Sequence, residues 1–241
     1  MSDEIEKKLW DKVNKYIPKL GWIPFVRLVA VCNNLAFGRV DEGSDIDLFI
    51  IAKKNRLFIV RFFITMYLHC LGVRRHSKMV SERFCLSFFI DDSYLNLSQI
   101  AKINDIYLAY WIKNIVPVID DGVSEEFLLV NDWIKDFFEK DEKIELSYGR
   151  RILLDRSWLK RALTWIFDGK FGSMIEYFLR KWQIKRARRK SLLVQNSSGL
   201  LVEEHILKFH NIDRREDYRD AWIKKYGDNV KLTRERFLGL F

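Results

Sequence analysis

Two aspartates, Asp45 and Asp47, stand in the stretch GSDIDLFIIA directly before an apolar run. If that run is a strand, residues two apart point to one face, and the two carboxylates emerge side by side. Carboxylates held that close disfavour double ionisation unless a cation neutralises them. Mg²⁺ takes one or two protein carboxylates, several waters and substrate phosphates in preference to a full protein cage. In phosphoryl and nucleotidyl transfer such ions neutralise charge on the attacking and leaving oxygens. The competing reading of Asp-x-Asp is a polar strand start whose aspartates cap a turn.

The elements that must hold this pair can be read along the chain. Ile5, Leu9, Val13 and Ile17 recur near a 3.6 period and predict a helix over 3–17, broken by Gly21 and Pro24. VRLVAVC then reads as a buried strand, followed by the acidic motif and a strand over 47–52. LFIVRFFITMYLHCLG predicts a helix ended by Gly72, and FCLSFFI a third strand over 84–90. From SYLNLSQIAKINDIYLAYWIKNI onward the pattern turns helical, with a stop at Pro117 and further helices over 123–140, 157–167 and 171–190. VQNSSG reads as a loop, and one or two final helices follow from about 201. Strands early and helices late predict an α+β protein. It has a small mixed β-sheet core flanked by helices over residues 1–95 and a mainly helical C-terminal domain over 96–241.

With these elements laid out, NNLAFGRVDEGSDIDLFII resembles the signature of the DNA polymerase β-like nucleotidyltransferase superfamily, especially its small bacterial members. Asn33 and Asn34 fall where the family has Gly-Ser, Gly38 matches its turn glycine, and Ser44-Asp45-Ile46-Asp47-Leu48 matches its core motif without a gap. The match covers residues 25–52 and fades beyond about 100. The resemblance implies a strand–helix–strand unit, an Mg²⁺ (or Mn²⁺) ion held by Asp45 and Asp47, and NTP phosphates, ATP among them, met by Asn33, Asn34, Gly38 and Ser44. Two departures stand out. Asn-Asn replaces Gly-Ser; Asn tolerates unusual backbone angles and its amide can bond phosphate. The family's third carboxylate belongs on the next strand, where Ser87 takes the mid-strand position. Asp91, on that face four residues on, is the leading candidate for third ligand and base, with Asp92 and Asp105 behind it and no third ligand as the other outcome. The implied activity is transfer of NMP from an NTP to an unidentified acceptor. The alternative is a catalytically inactive binding or regulatory module on the same fold, with RNA binding as a third reading.

Charge is unevenly placed. Of a net +9, residues 1–150 carry 21 Lys+Arg against 22 Asp+Glu, while residues 151–190 hold 12 basic and 3 acidic side chains. Residues 180–190, RKWQIKRARRK, include seven Lys/Arg and no acid. Phe171, Ile175, Phe178, Leu179 and Trp182 share one helical stripe of the segment 171–190, which reads as a helix packed by that stripe with a solvated basic end, or as a site for nucleic-acid phosphates, an anionic membrane surface or a protein partner. Arg56, Arg61, Arg74 and Arg75 flank the sheet as exposed cations or as triphosphate contacts. His205 and His210 are spaced poorly for a shared metal face. The charged N-terminal segment does not resemble a signal peptide, and no apolar run reaches the ~18 residues of a membrane span. Cys32, Cys70 and Cys85 read as reduced, mostly buried thiols of a cytoplasmic protein.

Overall fold

The structure, a computed structural model, describes residues 2–76, 79–140, 144–147, 152–153, 158–191, 200–209, 213–228 and 230–240. Helix α1 (Ser2–Tyr16) leads through a 3-10 turn into β1 (Val26–Cys32), the short α2 (Asn33–Phe37), β2 (Ile46–Ala52), α3 (Leu57–Cys70) and β3 (Phe84–Asp91). Then come α4 (Ile106–Asn114), β4 (Val116–Asp120), α5 (Val123–Val130), the two-residue β5 (Ile152–Leu153), α6 (Trp158–Asp168) and α7 (Lys170–Ser191). A hairpin of β6 (Leu200–Val202) and β7 (Ile206–Phe209) precedes α8 (Arg215–Tyr226) and α9 (Arg234–Leu238).

One mixed sheet in the order β5-β4-β1-β2-β3-β7-β6 runs through the molecule. β2 and β3 are parallel, as are β4 and β5; every other neighbouring pair is antiparallel. The strands are apolar on both faces because both faces are covered. Val29, Val31, Leu48 and Ile50 pack with α1 and α3, while Leu28, Ala30, Phe49 and Ile51 pack with α4, α5, α8 and α9.

β3 carries an irregularity that decides the site. Asp47 pairs with Cys85, yet Phe49 pairs with Phe88, so β3 has one residue more than β2 in that interval. Such an insertion bends the strand and reverses the inside–outside alternation beyond it. Phe84 and Leu86 accordingly join the α1/α3 core, whereas Phe88 and Ile90 join the opposite one.

The α+β class and the mixed sheet agree with the sequence reading, as do the first helix and the three early strands. A division at residue 95 does not separate two packed units, because β4, β5, β6 and β7 all join the sheet begun by β1–β3. Pro117, expected only to stop a helix, lies within β4, and the segment from 201 opens with a strand hairpin before the expected final helices, α8 and α9. The helix expected over 123–140 is α5 followed by a 3-10 turn at Asp132–Phe137. The VQNSSG stretch and His210 lie outside the described residues.

Candidate metal centre

The pair of aspartates sits where β2 begins. β1 ends at Cys32, which pairs with Asp47 across the sheet, and α2 starts at the next residue. Gly38 ends α2 at φ 71°, a left-handed conformation that glycine adopts without steric cost. The turn before β2 is closed by Ser44: its hydroxyl donates to Asp41 Oδ1 (2.9 Å) and accepts from the Asp41 N–H (2.9 Å). The strand then presents Asp45 and Asp47 half-buried.

Because β2 and β3 are parallel and start level, Cys85 lies directly opposite Asp47. One ligand atom from each of Asp45, Asp47 and Cys85 lies within 4.8 Å of the others, so the three can hold a metal ion. Burial and the neighbouring Asp47 push the Asp45 carboxyl above its ordinary value, against the pull of Arg75. Burial, then Asp47 and Asp45, push the Cys85 thiol up in turn. At neutral pH it is a thiol, which a hard cation such as Mg²⁺ does not use. The two carboxylates alone fit Mg²⁺ or Mn²⁺; a softer ion would recruit the sulfur as well.

The surrounding side chains are committed in an orderly way. Arg75 reaches in from the loop before β3, its Nη1 2.6 Å from Asp45 Oδ2 and 3.6 Å from Cys85 Sγ. Asn33, at φ 56°, donates through Nδ2 to Asp47 Oδ2 (2.8 Å) and accepts from the Tyr107 hydroxyl (3.3 Å). Tyr107 packs on Phe37, Tyr218 and Phe237, so α9 at the far end of the chain backs the hydrogen bond that orients Asp47.

Several expected site residues are placed elsewhere. Asp91 pairs with Ala52 at the opposite end of β2 and β3, six residues from Cys85, or ~20 Å along the strand. The extra residue in β3 also turns Asp91 to the other face of the sheet. There, almost fully buried, it accepts from Ser93 N–H (3.0 Å) and the Ser93 hydroxyl (2.6 Å), and pairs with His205 Nδ1 (2.8 Å). It cannot meet a metal on Asp45 and Asp47. Asp92 pairs with Arg27 (2.9 Å), and Asp105 caps α4 and pairs with Arg215 (3.0 Å). The Ser44 hydroxyl is engaged in its turn, Asn33 is bound to Asp47, and Asn34 is exposed. Arg56 is buried against the Phe167 and Asp168 carbonyls, so of the flanking arginines it is Arg75 that the structure brings into the centre. Cys32 is buried, Cys85 half-buried and Cys70 exposed, all three as free thiols.

Cys85 was missed because the third position was sought in mid-strand. The structure starts β2 at Ile46, one residue before the strand read from the sequence, so Asp47 is the second residue of its strand and Cys85 the second of the next. Parallel strands that begin level put those two side by side.

No family model, curated protein or solved structure matches the chain. No helix among the described residues is long and apolar enough to cross a membrane.

Proposed function

We propose that the chain is a metal-dependent nucleotidyltransferase that moves NMP from an NTP to an acceptor. The observation that carries this reading is the pair Asp45 and Asp47, set side by side at the start of β2 with Asn33 orienting one and Arg75 balancing the other. Asp45 and Asp47 would hold Mg²⁺ or Mn²⁺. When bound, the ion neutralises charge gathering on phosphate oxygens. Asn33 fixes the direction in which Asp47 offers its second oxygen. Arg75, a planar donor already at the site, suits a phosphate oxygen as well as it suits Asp45.

A second reading has one observation in its favour. Opposite Asp47, where a carboxylate would take the proton of an acceptor hydroxyl, stands the Cys85 thiol. A protein with a metal and nucleotide pocket but no base there would bind NTP without turning it over. Incubation with each α-labelled NTP, Mg²⁺ or Mn²⁺ and a total cell extract separates the two. Label on a cellular acceptor, absent with Asp47→Asn, supports transfer. Metal-dependent NTP binding without any labelled product supports the module, and neither result would remove both.

A further inference from the structure

The helices α6 and α7 carry a surface that the acidic centre does not use. α7 docks on α3 through one defined stripe. Glu176 accepts from the Phe58 and Ile59 N–H groups (2.9 and 2.8 Å), taking two of the unpaired donors at the start of α3. Gln183 donates to the Phe58 carbonyl (3.0 Å) and accepts from Arg61, and Gly172 and Ala187 continue the same line. Arg56 binds the α6–α7 corner through the Phe167 and Asp168 carbonyls (3.0 and 2.7 Å), while Phe167 packs edge-on against Phe63. A side chain at Gly172 would collide with the Phe167 carbonyl, which holds the corner tight. Among the described residues this stripe is what attaches α7, and the other side of both helices is exposed.

That other side is apolar. None of the eleven residues of α6 is buried, and Trp158 and Trp165, two turns apart, are 74% and 83% exposed. On α7, Phe171, Met174, Phe178 and Trp182 are exposed at spacings of three and four residues, which aligns them along one line of the helix. Lys185 and Arg189 extend that line at the same spacing, and both are exposed. Cations flank the rings: Lys181 Nζ lies 4.4 Å from the Tyr177 ring centre, and the Arg186 guanidinium 5.9 Å from that of Trp182. Of the two acids on these helices, Glu176 is buried under α3 and Asp168 pairs with Lys53 (3.1 Å). Among the described residues, no carboxylate interrupts the stripe.

An apolar line continued by a basic one, with aromatic rings at the boundary, matches the layering of an anionic bilayer surface. We propose that α6 and α7 form a peripheral membrane-binding element. Their exposed rings enter the headgroup region of an anionic lipid bilayer, and Lys181, Lys185 and Arg189 lie over the phosphates. The aliphatic members Leu159, Ile166 and Met174 favour lipid over single-stranded nucleic acid, since they offer acyl chains a partner and offer bases no flat face to stack on. α7 is too charged to span, so the attachment is to one leaflet. This inference does not depend on the nucleotidyltransferase reading.

The full chain is to be floated with vesicles of phosphatidylcholine alone and with added phosphatidylglycerol, beside the variant W158S/W165S/F178S. The wild type should float with anionic vesicles and not with neutral ones, and the variant's partition should fall by about tenfold or more. An unchanged circular dichroism spectrum and melting curve would show that the variant folds. Quenching of wild-type tryptophan emission by brominated anionic lipid reads ring insertion without any variant, so a folding defect does not protect the proposal. Three results would overturn it: no flotation of the wild type, equal flotation of wild type and folded variant, or no quenching. A stripe-dependent dimer, or retention on single-stranded RNA, without vesicle binding would assign the surface to a second copy or to nucleic acid instead.

Discussion

The two ends of the β2–β3 pair each hold a group of titratable side chains, and they could hardly be used more differently. At the C-terminal end Asp91 is buried and its oxygens are taken by Ser93 and His205. At the N-terminal end Asp45 and Asp47 are half-buried, close to each other, and balanced by one arginine and one amide. A buried carboxylate with every partner supplied by its own chain is a structural device, since its own desolvation is offset by those partners. A carboxylate set beside another is a cost to the fold that a ligand can remove. Residue type is the same at both ends; satisfaction is what separates them.

That contrast can be tested from the strongest effect downward. Asp91→Ala should cost about 1–3 kcal/mol in denaturant unfolding, because it leaves a gap at a buried position and removes the side-chain link from β3 to Ser93 and His205 that supplements the β3–β7 ladder. A loss as small as that of a surface change would erase the difference between the ends. Saturating Mn²⁺ should raise the stability of the wild type by about 1–3 kcal/mol through mass action, in a melting assay, and leave Asp47→Asn unmoved. Asp91→Asn should retain the whole metal response relative to its own metal-free baseline; losing it would mean that the two ends are coupled. Cys85→Asp should complete a three-carboxylate centre, lowering metal-free stability by about 1 kcal/mol while tightening Mg²⁺ binding by about tenfold, measured by calorimetry. The smallest change belongs to Asp47→Asn without metal. Its amide oxygen can still accept from Asn33, and one of two neighbouring charges is gone, so stability should stay within about 0.5 kcal/mol and shift upward.

The unit from β1 to β2 was legible in the sequence because its signals are local. The apolar run, the turn glycine and the strand that starts at the aspartates follow one another within a few residues. Its neighbours were less so. An inserted residue in β3 leaves no mark in FCLSFFI, where every position is compatible with either face, and it turned Asp91, which already stood at the far end of the strand, to the other face. β6 and β7 join the sheet through pairing with a strand more than a hundred positions earlier, which helical periodicity does not register. The stripe expected on α7 mixes two faces: Ile175 and Leu179 pack against the core, whereas Phe171, Phe178 and Trp182 are exposed. Beside Ile175 and Leu179 the docking line uses Glu176 and Gln183, polar residues that periodic analysis counts as surface.

The strand order also sets a timetable for the growing chain. β1, β2 and β3 are made first and can pair at once, but the outer edge of β1 waits for β4 and that of β3 for β7. β3 ends at Asp91 and β7 begins at Ile206, so at ribosomal speed the bare edge of FCLSFFI persists for roughly ten seconds. An unpaired, apolar, β-prone edge is the kind that recruits other chains. During synthesis that edge is therefore open to pairing with other chains until the β6–β7 hairpin arrives.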